Sequence, residues 1–139
     1  MAPWWSTLTL MTELLVTAAV LATIYYGYVR GVFLKYLAGA ALAYEVIFNI
    51  SYMATRAFSS DPVSLAVASP FYIALAIFHG TFSLFMFAAI LAFFAAAWRA
   101  YGRGENFFRV HRVMTMVFTA CWLIALCSGF VFYYVSYLS

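Results

Sequence analysis

Four long apolar stretches, Leu8–Tyr28, Phe33–Met53, Phe71–Trp98 and Val113–Leu138, occupy most of this 139-residue chain. Roughly 20 mainly apolar residues are what a helix needs to cross about 30 Å of hydrocarbon. Each stretch reaches that length. The expected fold is therefore an all-α membrane protein with four transmembrane helices over about 8–28, 33–56, 70–100 and 108–138. Nearly the whole length is spans, so residues 1–139 are expected to form a single domain. Short connections dictate an up-down-up-down antiparallel bundle. Composition agrees. With 68% hydrophobic and 8% charged residues and a mean hydropathy of +1.01, the chain is no water-soluble globule, in which about a quarter of residues are charged.

The basic residues are unevenly placed. Arg30 and Lys35 lie between the first two stretches, and Arg99, Arg103, Arg109 and Arg112 surround the third connection. Arg56 alone falls on the opposite side, beside Asp61. Lysine and arginine in short loops mark the cytoplasmic face, so loops 29–35 and 99–112 are expected inside and both termini outside. The net charge of +3 is then an orientation signal, not a nucleic-acid footprint. The first stretch lacks the basic leader of a signal peptide and is too long for one, and Trp4 and Trp5 read as interfacial anchors. The expected location is a prokaryotic plasma membrane.

Local signals punctuate the helices. Ser69-Pro70 pairs an N-cap with proline at the first helical position. Asp61-Pro62 repeats the device, so Pro62–Ala68 is expected to form a short surface helix. Gly102 and Gly104 break the chain after the third span, and Asn106 is placed to cap the fourth. Arg99 suits the negative end of the third helix dipole. Ala38, Gly39, Ala40, Ala41 and Ala43 would allow close helix approach in the second span. Cys121 and Cys127 fall on different faces of span four, in no metal-binding spacing, and read as small buried apolar residues.

Ionisable groups at lipid depth normally face a bundle interior or a cavity. Here they are Glu13, Glu45 and His79. Glu45, Asn49, Tyr52 and Arg56 share one face of the second helix by their spacing. Counting the helical rise from the outer ends puts Glu45 roughly 16 Å deep and His79 roughly 14 Å deep. Glu13 sits shallower, between Thr9 and Thr17. These residues are expected to converge as a polar cluster in the outer half of the bundle. Such a cluster serves either as hydrogen-bonded glue between helices or as a proton- or cation-binding site. Met11, Met53 and His79 offer soft ligands for Cu(I), though without the usual spacing.

The chain has two histidines, and height separates them. His111 lies at the cytoplasmic edge of span four and His79 in the outer half, so they cannot be the two axial ligands of one haem. A haem would need one histidine with a different second ligand, or a second chain. His111, between Arg109 and Arg112, reads as an interfacial cationic residue.

Several residues carry a resemblance. Pro70-x-Tyr72 opens span three, with His79 nine residues beyond the proline; Phe108-x-x-His111-Arg112 opens span four. Trp122, Ser128-Gly129 and Tyr133 follow along it, and Ser51-Tyr52 lies near the outer end of span two. In these features the chain resembles the small four-helix membrane proteins of the CtaM type over spans two to four. Family members carry two further histidines, at the ends of span two, where this chain has Leu34 or Lys35 and Arg56. The resemblance implies a role in maturing or supporting a haem-A-type cytochrome oxidase. It leaves the cofactor open between haem, copper and none, with His79 and His111 as candidate ligands.

The expectation is a non-enzymatic accessory or assembly protein of a respiratory complex of the cytochrome oxidase type. Its partners would be the lipid bilayer and other membrane subunits, oxidase subunits among them. The alternatives are a haem-, metal- or proton-binding membrane protein using His79 with Glu45, and a structural subunit of a larger photosynthetic or respiratory assembly. No nucleotide-binding or hydrolase motif is present.

Overall fold

The computed structural model describes residues 4–58 and 69–138, without the side chains of residues 5, 53 and 55–58. Five helices account for all the regular structure in these residues: α1 (Trp4–Arg30), α2 (Lys35–Phe58), α3 (Pro70–Gly102), α4 (Phe107–Val110) and α5 (Arg112–Tyr137). The expected surface helix over Pro62–Ala68 lies outside the described residues, as does the side chain of Arg56.

Three of the helices, α1, α3 and α5, are long and apolar enough to cross a membrane. The 24-residue α2 has the length to span as well, with side chains described over 35–52 and at 54.

Helix ends follow their signals. The Ser69 side chain accepts from the Tyr72 amide at 3.2 Å, with Pro70 at the first position of α3. Gly31 (φ 66°) and Gly104 (φ 80°) take left-handed backbone in the two connections, the conformation that glycine adopts without a steric penalty. Asn106 caps α4, its side-chain oxygen accepting from the Arg109 amide at 3.2 Å and from the Tyr101 hydroxyl at 2.7 Å.

The continuous helix expected over about 108–138 is interrupted. His111, at φ −101° and ψ 50°, separates α4 from α5. Before the break Phe107 and Phe108 are both buried in the core, while Arg109–Met114 stay exposed. At the break the Thr115 hydroxyl donates to the Phe108 carbonyl at 3.0 Å.

The core is aromatic at this end. Phe33 stacks on Tyr101 (5.2 Å between centroids, 7° between planes) and Phe93 on Phe118 (4.3 Å, 18°), with Phe94 and Phe108 fully buried among them. Close approach is possible because residue 27 is glycine: a Cβ there would lie 2.5 Å from Phe108 Cδ2. Of the small residues on α2, Ala38 and Ala41 are buried and Gly39 lies against Trp98, whereas Ala40 and Ala43 face outward. Cys127 is exposed and Cys121 only partly buried. The expectation that both cysteines are buried therefore fails at Cys127, whose helical position falls on the outward face of α5.

The most extensive packing joins α3 to α5, and next α1 to α2. Three hydrogen bonds tie α1 to the C-terminal third of the chain. Thr7 pairs with Tyr133 at 2.7 Å, Trp122 Nε1 donates to Thr17 at 3.2 Å, and Asn106 Nδ2 donates to the Tyr28 carbonyl at 3.5 Å.

Candidate functional site

The polar residues expected to converge are divided between two helix pairs. On α1 and α2, Glu45 is buried to 4% exposure. Its Oε2 accepts from Asn49 Nδ2 at 3.1 Å, and the same amide donates to the Glu45 backbone carbonyl at 2.7 Å. Glu45 Oε1 is fully buried with no hydrogen bond among the described residues. Glu13 on α1 is close enough to interact with it electrostatically. One position earlier on each helix, the Tyr44 hydroxyl donates to Thr12, whose own hydroxyl donates to the Thr9 carbonyl at 2.9 Å. Further along the stripe, Tyr52 is half exposed and stacks near Phe48 at 6.3 Å.

His79 belongs to the other pair. From α3 its Nδ1 lies 2.8 Å from Ser128 Oγ on α5 and 3.3 Å from Ser83 Oγ, one turn on along α3. The imidazole stacks on Phe132 at 5.6 Å and 19°. Its Cε1 lies 3.1 Å from where a Cβ on Gly129 would be. Phe132 stacks in turn on Tyr72, whose hydroxyl accepts from Ser136 at 3.5 Å. No described contact joins His79 to Glu45.

Residues quoted from distant parts of the sequence thus meet: Tyr72 and His79 on α3, Ser128 and Gly129 on α5. Trp122 and Tyr133 turn to α1 instead. Sequence reasoning placed Ser128-Gly129 in a motif but did not see it as the seat of His79. The i to i+4 spacing of His79 and Ser83 signals their contact within α3 but carries no information about α5.

His111 is exposed at the break between α4 and α5, its ring 4.8 Å from that of Phe107. It borders a shallow groove with Val110, Arg112, Val113, Met114 and Val117. Basic side chains at this end lie over tyrosine rings: Arg30 over Tyr26, Lys35 over Tyr36 and Arg109 over Tyr28, at 5.5–5.7 Å. Among the described residues, no three histidine, cysteine or acidic side chains are grouped to hold a metal ion. The Cu(I) set of Met11, Met53 and His79 includes Met53, whose side chain lies outside the described residues.

Compared with known protein families, curated proteins and solved structures, the chain matches none.

Proposed function

We propose that this chain is a four-span integral membrane protein that acts without catalysis, as an accessory or assembly protein of a respiratory complex of the cytochrome oxidase type. The observation that carries the reading is the outward surface. Large apolar side chains stand exposed along the long helices, among them Leu15 (72%), Phe85 (66%) and Met116 (59%), and only 17% of the most apolar part of α5 is buried within the chain. A surface of this kind contacts lipid tails or the helices of another subunit, because neither exposes it to water.

The antiparallel arrangement is supported by the hydrogen bonds from α1, in which Thr7, Thr17 and Tyr28 meet Tyr133, Trp122 and Asn106 in turn. Treating α2 as the fourth span is supported by its burial of Glu45 toward α1. The basic residues of loops 29–35 and 99–112 support a cytoplasmic position for both, in a prokaryotic plasma membrane. The choice of an oxidase-type partner rests on the resemblance in spans two to four.

Mild-detergent extraction of the tagged chain from native membranes tests the role. Oxidase-type subunits are expected to co-purify, from assembly intermediates if the protein is an assembly factor, and in fixed ratio with the mature complex if it is a structural subunit. Recovery of the chain alone, under conditions that keep respiratory complexes intact, would refute both.

One observation favours a second reading, a proton- or cation-binding protein: the buried Oε1 of Glu45, without a hydrogen bond among the described residues and within electrostatic reach of Glu13. A lipid-soluble carbodiimide adds to protonated carboxyl groups in apolar surroundings. On this reading it labels Glu45, and the label is lost in Glu45→Gln. An unlabelled Glu45, with carbodiimide reacting elsewhere, argues against it.

A further inference from the structure

Most basic side chains in and around the two basic connections already have partners. Arg30, Lys35 and Arg109 lie over the rings of Tyr26, Tyr36 and Tyr28 at 5.5–5.7 Å, and Arg103 Nε is 3.5 Å from a carboxylate oxygen of Glu105. Among the described residues, Arg99 and Arg112 make neither kind of contact. Of these two, Arg112 borders the shallow groove at the break between α4 and α5. A guanidinium without a protein partner keeps its N–H donors for a ligand.

The groove changes character along α5. His111 and Arg112 supply its polar lining, and Val113, Met114 and Val117 follow on the side toward the middle of the helix. All of them are exposed, Val113 at 75% and Val117 at 56%. From Arg112 to Val117 the helix rises roughly 7.5 Å, about the thickness of the headgroup layer on one side of a bilayer. With α5 crossing the membrane, Arg112 stands at headgroup level and Val117 reaches the acyl chains. A soluble anion would satisfy only the charged part of this surface, and an apolar helix only the rest. A zwitterionic lipid carries its own cation beside the phosphate, which weakens its attraction to Arg112.

We propose that the groove at the α4–α5 break binds one anionic phospholipid. Its phosphate sits on the Arg112 guanidinium and a His111 ring N–H, and an acyl chain runs along Val113, Met114 and Val117. Arginine suits the first task because its planar fork matches phosphate oxygens, and basic pockets at the ends of membrane helices take such headgroups. The inference rests on α5 spanning the bilayer and is independent of which complex the protein serves.

The test is native mass spectrometry of the full chain in detergent, with dioleoyl phosphatidylglycerol and dioleoyl phosphatidylcholine added in equal amounts. Preferential retention of one phosphatidylglycerol is expected. Arg112→Gln lowers its apparent affinity about fivefold, the worth of one arginine near a membrane surface, and leaves phosphatidylcholine unchanged. Arg99→Gln removes the same charge away from the groove and alters neither lipid. Inorganic phosphate at the same concentration does not displace the lipid, because it has no chain to lay on the apolar lining. Equal retention of the two lipids by the wild-type chain would overturn the proposal, as would wild-type affinity in Arg112→Gln. An equal loss in Arg99→Gln would overturn it in favour of diffuse attraction to the basic end, and displacement by inorganic phosphate in favour of a free-anion site. Because the isolated chain is used, failure here leaves the proposed role in a larger complex standing, and failure to co-purify leaves this lipid site standing.

Discussion

At Gly27 the space for a side chain is already taken by Phe108 and by the Tyr101 hydroxyl, 2.5 and 2.8 Å from the Cβ position. Neither can withdraw, since Phe108 is fully buried against Phe33 and Phe93, and Tyr101 donates to Asn106. Gly27→Val is accordingly expected to destabilise the protein by about 1–3 kcal/mol through overpacking, read as a lower unfolding temperature in detergent. A second residue-scale prediction concerns the buried bond from Trp122 to Thr17. Side-chain hydrogen bonds between membrane helices average about 0.6 kcal/mol by double-mutant cycles. The cycle of Trp122→Phe and Thr17→Val should return a coupling of that size, and a value near zero would show that the pair merely packs. Some residue-scale features are legible in sequence, such as the Ser69 cap and the Gly104 turn, because local backbone chemistry decides them. The role of Gly27 is not, because the atoms that exclude a side chain come from residues 101 and 108.

Among the elements, α4 and α5 show where a hydropathy reading stops. Residues 108–138 are apolar enough to read as one helix, and composition contains no breaker at His111. At the interruption the Thr115 hydroxyl takes up the Phe108 carbonyl, while Phe107 and Phe108 stay buried in the core. Thr115→Val keeps the shape and removes the donor. It should cost about 1–2 kcal/mol, the penalty for a buried group left unpaired, visible in the same thermal assay; no loss would mean that the carbonyl finds another donor. The α2 stripe was partly legible. Its spacing correctly brings Glu45 and Asn49 together, but it does not carry His79 to Glu45. Similar depth is a coordinate along the helix axis, whereas contact also requires the right rotation about it.

For the whole molecule, the orientation inferred from charge can be measured. In a background with Cys121→Ala and Cys127→Ala, single cysteines replace Val32, Glu105 or Leu138, all exposed. A membrane-impermeant maleimide applied to intact cells should label position 138, and reach 32 and 105 only after permeabilisation. Labelling of 32 or 105 in intact cells would invert the topology or remove α2 as a span. The sequence by itself determined that the chain is helical, that three of its helices are able to cross a membrane, and where many of them begin and end. Length, hydropathy and capping are properties of contiguous residues, and they are complete before any helix meets another. Only the tertiary structure decided that His79 belongs to Ser128 and Gly129, and that Glu45 turns toward Glu13. In a water-soluble helix an apolar stripe marks the inward face. Helices that are apolar all round carry no such mark, so packing alone selects which face, and therefore which polar residue, turns toward which neighbour.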